Sequence, residues 1–83
     1  MNELGQNVLN IMENSLLGRM SVHVLKKQTE DAGLDLDDIT ATDIPKLVER
    51  LKTVLPFFIG NDAQLVLIRI NKLGNGGIQN IGV

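Results

Sequence analysis

Eighty-three residues make one domain, near the size below which a single core rarely supplies more than about 3–5 kcal/mol without a staple. Two staples are excluded by composition: without Cys there is no disulfide and no zinc thiolate, and one His gives too few nitrogen ligands for a structural zinc site. A net charge of −2 and a pI near 5.1 argue against a nucleic-acid footprint, while 43% apolar residues leave association with another chain as the remaining support.

Met1-Asn2-Glu3 is not basic and no A-x-A-like site follows an apolar region, so no signal peptide is expected. The longest apolar runs, Val54–Ile59 (containing Pro56) and Leu65–Ile68, fall well short of the roughly 18 residues that suggest a membrane span. The expectation is a soluble cytoplasmic protein.

In chain order, Leu4, Val8, Ile11, Ser15, Gly18, Val22 and Leu25 recur with alternating spacings of 4 and 3, a heptad-like seam. Ser15 and Gly18 are small members that let another backbone approach. Asn14-Ser15 can act as an N-cap, so the pattern predicts a break near 13–15, with helices at about 3–13 and 15–32; one kinked helix is the alternative. Ala32-Gly33 closes the second helix. Leu16, Leu17, Met20, Val22, Val24 and Leu25 cover most of its circumference, which suits a central position. Its polar stripe of Arg19, His23, Lys26, Lys27 and Glu30 spans about 100°. An acidic connector follows over 33–39, pinned by Leu34, Leu36 and Ile39.

The segment from Thr40 to Gly60 carries the plainest structural signal. Ile44, Leu47, Val48, Leu51, Val54, Leu55 and Phe58 form one amphipathic stripe. Thr40 and Asp43 can form a capping box, and Gly60 stands where a left-handed residue ends a helix. A helix is expected over most of 44–58, loosened in its last turn by Pro56. After Gly60, Asn61 or Asp62 can cap a last helix through Leu73. Residues 65–70 also have strand propensity, but only Ile78–Val83 could pair with them, so helix is the preferred reading. The pattern gives a helical domain over 1–73 and a Gly-rich flexible tail over 74–83.

Chemistry is harder to find. His23 has no nucleophile or orienting partner in its local pattern and lies on a polar stripe, which favours a solvated side chain. The acidic residues from Asp31 to Asp43 fail calcium-loop spacing: counting from Asp31 puts Gly33 and Leu36 at positions 3 and 6, and counting from Asp35 puts Ile39 at position 5. Gly74-Asn-Gly-Gly77 precedes no Lys, Ser or Thr and is no phosphate loop.

Glu13-Asn-Ser-Leu-Leu17, a helix, and then Ala32-Gly-Leu-Asp-Leu36 resemble the region after the modified serine of acyl and peptidyl carrier proteins. That resemblance implies a prosthetic group on Ser15. The chain departs from it at Asn14, where the family has Asp, and only fourteen residues precede Ser15.

These patterns support an all-α, single-domain bundle of about four helices with a core drawn from Leu4, Val8, Ile11, Leu16, Met20, Val24, Leu47, Leu51, Leu55, Phe58 and Leu67. The function expected is a non-enzymatic protein-interaction or oligomerisation module, a small adaptor or regulatory subunit that pairs with itself as a homodimer. Arg19, His23, Lys26, Lys27 and Phe57 are its candidate contacts. No cofactor, metal, nucleic acid, membrane or small-molecule substrate is expected. The alternatives are the carrier-like domain modified at Ser15, and a helix-turn-helix DNA-binding regulator reading with residues 62–73.

Overall fold

A computed structural model describes the backbone of residues 1–81 and the side chains of residues 1–74. Within them the chain forms a four-helix, all-α bundle: α1 (Glu3–Glu13), α2 (Ser21–Asp31), α3 (Ile44–Ile59) and α4 (Asp62–Ile81), with single 3-10 turns at Gly18–Met20 and Ala41–Asp43. Residues 65–70 are helical, as the absence of a credible strand partner requires.

Helix α1 begins at Asn2, whose Oδ1 accepts from the Gly5 N–H at 2.8 Å. The same residue reaches across the bundle. Its backbone N–H donates to the Leu36 carbonyl at 3.0 Å and its Nδ2 to the Ile39 carbonyl at 2.8 Å. Gly5 permits this closeness, since a Cβ there would lie 2.9 Å from the Leu36 oxygen. The start of α1 is thus tied to the connector between α2 and α3, and the hydrogen bonds contribute about 0.5–1.5 kcal/mol each.

The second helix starts at Ser21, not at residue 15 as the seam suggests. Asn14 ends α1, with its Nδ2 donating to the Asn10 carbonyl, and caps nothing after it. Ser15 donates its hydroxyl to the Met12 carbonyl and accepts the Leu17 N–H at 3.1 Å, which makes a turn. Gly18, at φ +52°, takes a conformation that interrupts any continuous helix. The heptad seam is therefore two short faces separated by a turn, and Ser15 and Gly18 form no small-residue contact strip. Helix α2 closes as expected in a Schellman motif: Leu34 N–H donates to Thr29 O, Gly33 N–H to Glu30 O, and Gly33 has φ +72°.

Thr40 and Asp43 make the expected capping box, the Thr40 N–H donating to the Asp43 carboxylate at 3.0 Å. Pro45 occupies the first turn of α3, where a missing N–H costs nothing. The helix continues past Pro56 to Ile59 and ends at Gly60, whose φ of 57° favours glycine. A turn of two residues then starts α4, which returns along α3. Gly74 brings the two helices together at the far end: a Cβ on it would stand 2.9 Å from Ile44 Cβ and 3.1 Å from the Ala41 carbonyl. From residue 75 onward the expected flexible tail lies outside the described side chains.

Ile44, Leu47, Leu51 and Leu55 of α3 are fully enclosed, as are Val8, Met12, Leu25 and Ile70 from the other three helices. Three expected core residues are on the surface instead: Leu16, Met20 and Phe58 are 73%, 49% and 47% exposed. The first two sit in or beside the turn that replaces the expected helix. Phe58 yields its place to Ile59, because the buried face of α3 steps by four through Leu47, Leu51, Leu55 and Ile59. Leu4, Ile11 and Leu67 only flank the core, while Leu9, Leu17, Ile39 and Val66 complete it.

Leu51→Ala should cost about 2–5 kcal/mol, because a fully enclosed side chain leaves a cavity when truncated. Urea melts at fixed pH measure this, and a loss below about 1 kcal/mol would contradict the burial. A second expectation concerns Asp37 in the connector. A hydrogen bond from the amino-terminal ammonium, and its charge, hold this carboxyl below the ordinary aspartate value of 3.8. A depressed folded-state pKa adds stability above the unfolded pKa, and the benefit disappears as pH falls through the folded one. Carboxyl NMR titration should find the Asp37 midpoint below 3.8, and acetylation of the amino terminus should return it upward.

Candidate functional site

Because the start of α1 is tied to the 36–39 connector, the turn after α1 and the α3–α4 turn meet at the opposite end of the bundle. A shallow depression there is shared by Ile11, Asn14, Ser15 and Leu16 with Asp62, Leu65, Val66 and Arg69. On the adjoining face Met20 of the first 3-10 turn and His23, Val24, Lys27 and Gln28 of α2 line a groove with Val54 and Phe58 of α3. Apart from Met1, every large apolar side chain left exposed among the described residues lies on the 14–20 turn, the end of α3 or the first two turns of α4. Phe57 is the extreme case at 88% exposed; it points away from the face of α3 that carries Leu51, Leu55 and Ile59. Leu65 and Ile68 stand one turn apart on the outer side of α4.

The candidate basic stripe is split. His23 and Lys27 edge the α2–α3 groove. Lys26 faces the other way, sharing a second depression with Glu30, Leu34 and Asp35. Arg19 lies on the 3-10 turn beside Met20 and is exposed. The acidic residues are also partly committed within the chain: Asp31 receives Lys27 Nζ and Arg50 Nη2, each at 3.3 Å. These partly exposed pairs are worth about 0–1 kcal/mol apiece.

Buried polar groups are mostly satisfied. Ser21 donates to the Gly18 carbonyl at 2.7 Å, and Thr29 donates to the Leu25 carbonyl at 3.0 Å. Two exceptions stand among the described residues: Arg50 Nε is buried without a partner, and Gln28, 6% exposed and lining the groove, leaves its Oε1 buried with none. Sequence reading missed Gln28, although at 3.6 residues per turn it falls opposite the polar stripe, on the side of α2 that buries Ser21, Val24 and Leu25.

Ser15, the residue singled out by the carrier-like resemblance, is half-buried in the turn that ends α1, and the next α-helix opens six residues later at Ser21. For the helix-turn-helix alternative, α4 buries Ala63, Val66 and Ile70 and leaves Leu65 and Ile68 exposed beside Arg69 and Lys72. Among the described residues no three His, Cys, Asp or Glu side chains gather into a metal-binding group, and no helix is long and apolar enough to cross a membrane. Comparison with protein-family models, curated proteins and solved structures gives no significant match.

An orphaned buried acceptor costs about 1–3 kcal/mol, whereas a shape-matched apolar replacement removes that cost. Gln28→Met should accordingly raise stability by about 1 kcal/mol. Denaturant midpoints with an unchanged slope measure it; a destabilised variant would mean that the amide has partners in solution.

Proposed function

We propose that this chain is a non-enzymatic protein-interaction module that pairs with a second copy of itself through the outer side of α4 and the turn after α1. The concentration of exposed apolar side chains at one end of the bundle is the observation that carries this reading. Burying a large apolar side chain contributes about 1.5–3 kcal/mol, and contiguous exposed apolar surface on a small domain marks an interaction site. Leu16, Leu65 and Ile68 supply that surface, and a two-fold contact lets each residue meet its counterpart or a neighbour on the partner. A role as a small adaptor or regulatory subunit in the cytoplasm fits a Cys-free, mildly acidic chain.

Sedimentation from micromolar to millimolar protein, at low and high salt, tests the proposal. A dimer that persists in high salt is expected, because apolar burial is insensitive to screening. Leu65→Asp combined with Ile68→Asp should leave the circular dichroism unchanged and shift the protein to one chain. A mass of one chain throughout sinks the proposal, and a dimer that dissolves in high salt would assign the contact to charged groups instead.

A further inference from the structure

The α2–α3 groove has a different character from the α4 surface. Its floor and walls are Val24, Val54, Met20 and Phe58, and the only ionisable side chains lining it are His23 and Lys27. Arg19 is exposed beside Met20 on the same turn. Lys27 is also paired with Asp31, which Arg50 shares, so Arg19, Lys27 and Arg50 stand against one carboxylate, a local excess of positive charge in a chain of net charge −2. We propose that the groove receives an amphipathic helix of a different protein, one with an apolar stripe, acidic flanks and an N–H donor on its apolar side. The inference rests on the reading of this chain as an interaction module but not on its dimer.

Three observations favour this occupant. The described residues include no strand, so there is no sheet edge for an extended peptide to join; a furrow between two helices accepts the apolar face of a third. A second copy docking here about a two-fold axis brings His23 and Lys27 against the same basic rim. The chain's own carboxylates on the 35–38 connector lie at the other end of the bundle, with Asp37 held by the amino terminus. Acidic flanks on a foreign helix instead meet opposite charge, which selects the partner and speeds its approach. The orphaned Oε1 of Gln28 supplies the third observation: it is buried with no hydrogen-bond partner among the described residues, and a turn of the Gln28 side chain toward a Trp indole N–H on the incoming helix would give it one.

The probe is a synthetic helical peptide with Leu at i, i+4 and i+7, one Trp on the same face, and Glu elsewhere, compared with the identical peptide carrying Lys for Glu. The protein contains no Trp, so indole emission reports the peptide alone. The Glu peptide should bind with a blue shift and should move amide resonances of residues 20–28 and 54–58. The Lys peptide should bind at least about tenfold more weakly. Lys27→Glu, which removes the exposed Lys27–Asp31 pair but leaves the core intact, should reverse the order of the two peptides. Gln28→Met should weaken the Glu peptide while leaving the fold more stable, a combination that general damage does not produce. Equal affinity for both peptides, resonance changes confined to α4, or groove resonances that move with protein concentration before peptide is added would each overturn the proposal. A protein that sediments as one chain yet binds the Glu peptide through the groove removes the dimer and supports this inference.

Discussion

The enclosed face of α3 is the surface that organises this molecule. Ile44, Leu47, Leu51 and Leu55 lose all contact with water, and each such burial is worth about 1.5–3 kcal/mol. Helix α4 returns along α3, and α2 packs beside it. Against this, the hydrogen bonds of Asn2 contribute about 0.5–1.5 kcal/mol each. Those bonds steer α1 into place but cannot replace the apolar contact. The division of labour explains why the two ends of the bundle differ. The end with Asn2, Gly5, Ile44 and Gly74 is drawn tight by hydrogen bonds and by glycines that admit a neighbouring chain. The other end has no such fastening among the described residues, and there Leu16, Phe57 and Leu65 face solvent.

Much of α3 and its limits could be read directly from residues. The apolar period, the Thr40–Asp43 box and Gly60 are local signals, and local hydrogen bonding honours each of them. The turn after α1 was less legible because heptad spacing ran through it unbroken. A pattern of apolar residues cannot register that Ser15 folds back on the Met12 carbonyl or that Gly18 adopts a positive φ. The exchange of Phe58 for Ile59 is subtler. Phe58 falls on the stripe by its period and Ile59 just beside it, and only the packing of α4 decides which side of α3 is covered. Asn2 and Gly5 carried almost no signal, since their significance lies in a connector more than thirty residues away.

The charge pattern needs the fold before it has meaning. Read along the helix, Arg19, His23, Lys26 and Lys27 form one stripe; in space Lys26 belongs to a depression shared with acids, while His23 and Lys27 edge an apolar groove. Asp31 and Asp37 are bound by cations of the same chain. A small net charge thus conceals local surfaces of opposite preference, and groove recognition and apolar self-pairing use different faces.

The tie from Asn2 to Ile39 also bears on the order in which the chain assembles. It joins positions 37 residues apart, whereas α3 and α4 are separated by Gly60 and Asn61 alone. Each doubling of a closed loop costs about 0.6 kcal/mol more chain entropy. The α3–α4 hairpin therefore has the smaller entropic barrier and is favoured to form first, offering a template on which α2 settles. Helix α1 docks when the connector is already shaped to receive Asn2, an order that pulse-labelled amide exchange reads directly. In the reverse direction, loss of α1 before the hairpin would uncover Val8, Leu9 and Met12 while α3 and α4 still stand. The strip so bared would be distinct from both the α4 surface and the α2–α3 groove.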